Sequence, residues 1–159
     1  MPRPSAGLLL YRRQGEEGLE LLLAHPGGPF FHSRDLGAWT VPKGEYEEGE
    51  EPLAAAEREF TEEIGSPAPA GPRLDLGEVR QASGKRVRVF AVEGDLDAEA
   101  AASNLFEMEW PPGSWRLEHF PEVDRAAWFP PGEARRRLNA AQSVLVDRLL
   151  AQAGEERPG

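Results

Sequence analysis

Three glutamates in the second quarter of the chain carry its strongest chemical signal. Glu59, Glu62 and Glu63 stand at i, i+3 and i+4 within Arg58-Glu59-Phe60-Thr61-Glu62-Glu63-Ile64-Gly65, so on a helix their carboxylates project from neighbouring positions. Like charges at that spacing cost an isolated helix roughly a few tenths of a kcal/mol. The arrangement makes sense if a hard cation takes the oxygens. Mg²⁺ favours oxygen ligands in octahedral geometry and keeps several waters, which leaves positions for substrate phosphate oxygens. The chemistry these acids suggest is metal-assisted work on a phosphorylated compound. Upstream, Lys43 in Val-Pro-Lys-Gly carries an ammonium that can reach a phosphate held there. Glu50 and Arg58, taken alone, are a surface ion pair worth under about 1 kcal/mol.

The elements that must position these residues follow from local pattern. Leu53, Ala56, Phe60 and Ile64 form one apolar stripe at a period of 3.6, which predicts a helix over Pro52 to Ile64. Pro52 suits its first turn, and Gly65 followed by Pro67 supplies its stop. On that helix Glu59 and Glu63 border the stripe and Glu62 lies further round. Ser5 to Arg12 and Leu19 to His25 read as a strand hairpin punctuated by Gly15 and Gly18. A loop is expected from Pro26 to about Ala38, then a short strand Trp39-Thr40-Val41 ended by Pro42. Arg73 to Arg80 and Arg86 to Glu93 alternate as strands, and Asp95 to Asn104 reads as a short helix or loop. Phe106 to Trp110 runs into a break at Pro111-Pro112-Gly113, and Val123 to Phe129 reads as the last strand. A single helix is expected from about Glu133 to Ala153 on a stripe of Leu138, Ala141, Leu145 and Leu149, with a frayed tail over 154–159. Nothing divides the chain, so 1–153 is expected to be one mixed α/β domain.

Composition narrows the partners. The 159 residues hold 18 Lys and Arg against 28 Asp and Glu, a net charge of −10. That balance argues against a surface that coats DNA or RNA, which needs clustered cations. A protein this acidic handles phosphates through divalent cations or a few placed basic residues. The absence of cysteine excludes disulfides, thiolate nucleophiles and Cys-ligated zinc. The longest apolar runs, Leu8 to Tyr11 and Leu21 to Ala24, are far too short to span a bilayer. Met-Pro-Arg-Pro-Ser lacks the apolar core of a secretory signal, so the expected compartment is the cytoplasm.

The joint spacing of Gly44, Glu50, Arg58, Glu59, Glu62, Glu63 and Gly65, with Phe60 as the bulky apolar residue, resembles the Nudix box. Written out, that box is Gly-x5-Glu-x7-Arg-Glu-U-x-Glu-Glu-x-Gly-U, and the departure is Ser66 at its last apolar position. The resemblance implies an α/β/α sandwich around a mixed sheet and a loop–helix–loop metal site. It implies that Glu59, Glu62 and Glu63, with the Gly44 carbonyl, bind Mg²⁺ or Mn²⁺, and that Glu50 and Arg58 brace the loop against the helix. The implied reaction is hydrolysis of a nucleoside diphosphate linked to another group, with Glu59 or Glu62 as the base in the helix. In the family a later loop sometimes supplies the base, for which Glu122 is the candidate here, competing with Glu107, Glu109 and Glu118. Pro-Lys-Gly ahead of the box resembles Nudix enzymes acting on dinucleoside polyphosphates, which with nucleoside triphosphates are the favoured substrates, ahead of ADP-ribose-like sugars, oxidised nucleotides, RNA 5′ ends and inositol pyrophosphates. A non-catalytic Nudix-fold nucleotide sensor is the alternative; such modules usually lack one or more of these glutamates.

Other constellations are weaker. His32, Ser33 and Asp35 have the residue types of a hydrolase triad but cluster locally, which is not how triads are assembled. Trp39 is expected in the core rather than as a stacking platform, Arg135 to Arg137 on a solvated face, and Trp110, Trp115 and Phe120 either in the core or around a nucleobase. Three scattered histidines argue against a His-rich metal site.

Overall fold

The computed structural model describes residues 3–13 and 18–153, which leaves the turn expected around Gly15 and the tail expected from 154 outside the described residues. Its centre is β1 (Ser5–Arg13), seven of whose nine residues are buried. A strand covered on both faces has no need of polar alternation, which is why Leu8, Leu9 and Leu10 run together. Along one edge β1 pairs in parallel with β5 (Arg86–Glu93), from Ser5 against Val87 to Tyr11 against Glu93. Along the other edge its two ends take different antiparallel partners. Tyr11 to Arg13 meet β2 (Leu19–Pro26), whereas Ser5 to Gly7 meet the short β3 (Lys43–Glu45). The sheet is completed by β4 (Leu74–Arg80) beside β5 and β8 (Val123–Phe129) beside β2.

A helical layer covers each face. On one, α1 (Pro52–Ile64) sets Ala55, Ala56, Phe60 and Ile64 against Ala6, Leu8 and Leu10 of β1 and Leu22 and Val92 of its neighbours. On the other, α2 (Pro131–Arg137) and α3 (Val144–Ala153) cover Leu9, Leu21, Leu23, Val87 and Val89. The result is the expected α/β/α sandwich around a mixed sheet. No helix among the described residues is long and apolar enough to cross a membrane.

Two local expectations give way to tertiary contacts, and two further stretches take a form that local pattern leaves open. The third strand lies beyond Pro42, because the Pro42 carbonyl accepts from Leu8 N–H (3.1 Å) and the pairing with β1 starts there. Trp39 and Thr40 make only isolated bridges, to Leu138 and Ala24. The long C-terminal helix is interrupted. Leu138 is extended (ψ 147°) because Trp39 N–H donates to the Arg137 carbonyl and Trp39 C=O accepts from Asn139 N–H, pulling the chain out of helix. Asn139 then caps a single 3₁₀ turn, Ala140–Gln142, through its side chain before α3 begins. Between Asp95 and Asn104 there is one 3₁₀ turn, Ala98–Ala100. Finally, β6 (Leu105–Glu109) folds onto β7 (Leu117–Pro121), a strand the sequence pattern does not announce, in a separate two-stranded ribbon.

Candidate active site

Most of the residues singled out by type and spacing meet in one cleft of about 480 Å³. Its floor is the start of β3 and the end of α1, and it is lined by Lys43, Gly44, Glu59, Glu62, Glu63 and Glu122. The bare α-carbon of Gly44 lies against the Glu59 carboxylate, so closely that any side chain at 44 would overlap it. That contact is what brings strand and helix together at this point. Glu63 Oε1 accepts from the Lys43 N–H at 3.3 Å, a second tie between the same two elements. Gly65, left-handed at φ 92°, then ends α1 with its N–H on the Thr61 carbonyl, so the last acid sits on the final turn.

Arg58 organises the helix side. Its guanidinium spans both oxygens of Glu50 (3.1 Å each) and reaches Glu59 at 2.9 Å and Glu62 at 3.5 Å. The Glu50 hydrogen bonds are the largest influence holding this guanidinium protonated, and the two-pronged geometry is one that arginine alone provides. Glu50 and Arg58 themselves border an adjoining depression rather than the cleft.

Glu122 arrives from the opposite wall, between β7 and β8. Its backbone is stitched to α1 through a neighbour: Glu122 N–H donates to the Asn104 carbonyl, and Asn104 N–H donates to the Glu62 carbonyl, both at 2.9 Å. The competing acids are engaged elsewhere on the ribbon. Glu107 pairs with His119 at 2.9 Å and Glu109 takes the Gly113 N–H at 2.7 Å, while Glu118 is an exposed residue of β7.

The electrostatics are those of crowded, partly dehydrated acid. Burial first, with the negative charges of Glu59 and Glu122 adding to it, pushes the Glu63 carboxyl up to about 8. Burial likewise raises Glu59, helped by Glu62 and Glu122. Lys43 moves the other way, its ammonium disfavoured by burial and by the like charge of Lys85. The buried Ser5 Oγ, in the same wall, has no hydrogen-bond partner among the described residues. A site where burial and neighbouring negative charge work against ionised Glu59 and Glu63, with hard oxygen donors and an unpaired hydroxyl, fits a divalent cation. Among the described residues no three acids converge on one point. Arg58 draws Glu59 and Glu62 to one side, and Glu63 leans on β3.

A model of the NUDIX domain matches residues 1–149. The chain belongs to this family. It is 32% identical over 142 residues to the RNA pyrophosphohydrolase of Rhizobium meliloti (strain 1021), covering 80% of this chain and 78% of that protein. In fold it resembles a C. elegans Ap4A hydrolase in a binary complex, with a TM-score of 0.63, 20% identity and coverage of 95% and 98% of the two chains. It also resembles the NUDIX domain of Shewanella oneidensis NrtR complexed with ADP ribose, with a TM-score of 0.64, 17% identity and coverage of 96% and 88%. The chain is thus a Nudix hydrolase of phosphoric anhydride bonds.

Several Nudix-box neighbours that the sequence does not mark also line the cleft, namely Arg3, Ser5, Glu45, Lys85 and Asn104. Contacts between distant segments put them there: Ser5 faces both Glu45 and Val87 across β1, and Asn104 N–H donates to the Glu62 carbonyl. The weaker constellations dissolve into structure. Trp39 is 3% exposed, edge-on to His25 and Phe129 with its indole N–H on Asp35. Asp35 also binds Arg137, Arg135 binds Asp147 and Arg136 meets Glu133. Trp110 packs against Phe30, Phe120 against Phe106, and Trp115 is 92% exposed, so the three do not share a pocket.

Proposed function

We propose that this chain is a Mg²⁺- or Mn²⁺-dependent pyrophosphohydrolase that splits a diphosphate joined to a nucleoside, with dinucleoside polyphosphates and nucleoside triphosphates as substrates. The observation that carries it is the meeting of Glu59, Glu62, Glu63 and Glu122 with Lys43 in one cleft. Glu59, Glu62 and Glu63, with the Gly44 carbonyl, would hold the cation. Such an ion neutralises phosphate oxygens and acidifies a bound water. Lys43 holds a phosphate from the floor, and Arg58 with Glu50 keeps the loop on the helix. Glu122 accepts the proton of the attacking water, since it faces the helix from across the cleft whereas Glu59 and Glu62 already share Arg58.

A second reading, removal of pyrophosphate from RNA 5′ ends, is favoured by the name of the R. meliloti relative; the net charge of −10 weighs against it. The sensor reading is disfavoured because the box keeps every glutamate.

The test is a panel of nucleoside triphosphates, dinucleoside polyphosphates, nucleotide sugars and 5′-triphosphorylated RNA, with and without Mg²⁺, the products identified by mass. Mg²⁺-dependent release of a mononucleotide from the first two classes, lost in Glu63→Gln, is the expected result. Equal inertness of wild type and Glu63→Gln overturns hydrolysis in favour of binding alone.

A further inference from the structure

A second cavity, of about 430 Å³, adjoins the acid cleft and shares Lys43 with it. Its walls are Phe31, Ala38, Thr40 and the 3₁₀ turn at Ala140 on one side, and Gln81 to Ser83 on the other. That size lies within the range of small-ligand sites. The partition between the two cavities is the β4–β5 turn. Gln81, Ala82 and Ser83 line the second cavity, while Lys85, at the end of the same turn, lines the acid cleft.

The turn is firmly built. Gln81 N–H donates to the Lys85 carbonyl at 2.9 Å and Gly84 N–H to the Gln81 carbonyl at 2.8 Å. The fully buried Gln142 ties it to the rest of the fold. Its amide donates to Gln81 Oε1 at 3.2 Å and to Thr40 Oγ1 at 3.0 Å, and its oxygen accepts the Val41 N–H at 2.9 Å. One side chain therefore holds the turn and the run-up to Lys43 in fixed relation.

Lys85 Nζ pairs with Glu45 Oε2 at 3.0 Å, one residue beyond Gly44. Two ammoniums, on Lys43 and Lys85, thus line a cleft with Arg3 and the acids Glu45, Glu59, Glu62, Glu63 and Glu122. A cation held on the glutamates neutralises the phosphate it touches; the remaining phosphates of a longer chain need protein cations.

We infer that the β4–β5 turn is the element that recognises a nucleoside polyphosphate: Lys85 exchanges Glu45 for the phosphate chain beside Lys43, and the cavity on the turn's other face takes the nucleoside. Glu45 occupies Lys85 until the phosphates arrive. This deepens the proposed function and rests on it for the identity of the ligand, but its test reads binding rather than turnover.

The probes are a methylene-bridged, non-hydrolysable nucleoside triphosphate, the corresponding diphosphate, and inorganic tripolyphosphate, each titrated calorimetrically in Mg²⁺. Losing one charge-assisted contact weakens binding by about 10-fold. Lys85→Gln is expected to weaken the triphosphate and tripolyphosphate by that amount and the diphosphate by less than about 3-fold. Ala140→Leu, which fills the second cavity, is expected to weaken both nucleotides and leave tripolyphosphate unchanged. Glu45→Gln, which frees Lys85, is expected to tighten tripolyphosphate. Loss of all three ligands alike in Lys85→Gln, or no loss in any, overturns the inference, as does equal binding of nucleotides by Ala140→Leu. A wild type that hydrolyses nucleotides while Lys85→Gln binds normally sinks the turn's role and leaves the function standing. Normal discrimination by the turn in a protein that hydrolyses nothing does the reverse.

Discussion

The carboxylate of Glu59 rests on the α-carbon of Gly44, the only residue type whose bare backbone permits that approach. Gly44 is not left-handed, so the demand is for space and not for backbone freedom. Gly44→Ala should therefore push β3 from α1 at the point where the cation would bind. The expected outcome is a stability loss of about 1–3 kcal/mol from overpacking, with Mg²⁺ affinity falling in the same variant. Thermal melts with and without Mg²⁺ measure both. An unchanged Mg²⁺-induced rise in melting temperature would show that the glycine serves packing only.

Glu63 gives the protein a pH dependence of definite sign. Its carboxyl is held up to about 8 in the fold, against roughly 4.3 in an unfolded chain. The folded state binds this proton more tightly, so the stabilisation is complete below the unfolded value and is lost as pH climbs towards 8. In chelator, the melting temperature should fall from pH 5 to pH 8, and Glu63→Gln, neutral throughout, should fall less. Mg²⁺ should restore the wild type at pH 8 and leave the variant where it is.

Arg58 braces Glu50 with two parallel contacts and touches Glu59 and Glu62. Arg58→Lys keeps the charge and loses the fork. Supporting contacts of this sort are worth about 10–100-fold in activity or metal affinity, whereas exposed ion pairs contribute under about 1 kcal/mol to stability. A kcat reduced within that range at nearly constant melting temperature is the expected combination. A large drop in stability with intact kcat would make the pair structural.

Glu122→Gln removes a proton acceptor without changing shape. If Glu122 is the base, kcat falls by about 10²–10⁴-fold, with KM for the nucleotide little altered. Glu107→Gln, on the outer ribbon and paired with His119, should have no such effect, and equal losses in both would count against the assignment.

Gln142 is buried with its amide fully used. Gln142→Leu leaves the Val41 N–H unpaired, at a cost on the order of 1–3 kcal/mol, and loosens the approach to Lys43. Chemical denaturation gives the first quantity and KM the second; a variant as stable as wild type would mean that water replaces the amide.

Much of the site is legible in one dimension because a helix is a local object. The stripe Leu53, Ala56, Phe60 and Ile64 and the acids Glu59, Glu62 and Glu63 lie within 13 residues, and the 3.6 period alone sets which faces them outward and inward. Where the reading erred, a distant partner intervened. Leu138 would extend a helix on its own propensity, but Trp39 draws its backbone into a bridge. Thr40 reads as strand, but pairing with β1 begins only past Pro42. Leu117 to Pro121 shows no strong strand pattern because its ribbon is exposed and packs one side at most.

By itself, then, the order of residues determined the acidic helix, its stop at Gly65, the glycine that must meet it and the family they mark. Tertiary structure alone decided that Glu122, Lys85 and Ser5 share a cleft with that helix. They come from a strand, a turn and a loop whose placement depends on hydrogen bonds between segments far apart in the chain, and no local periodicity encodes such a register.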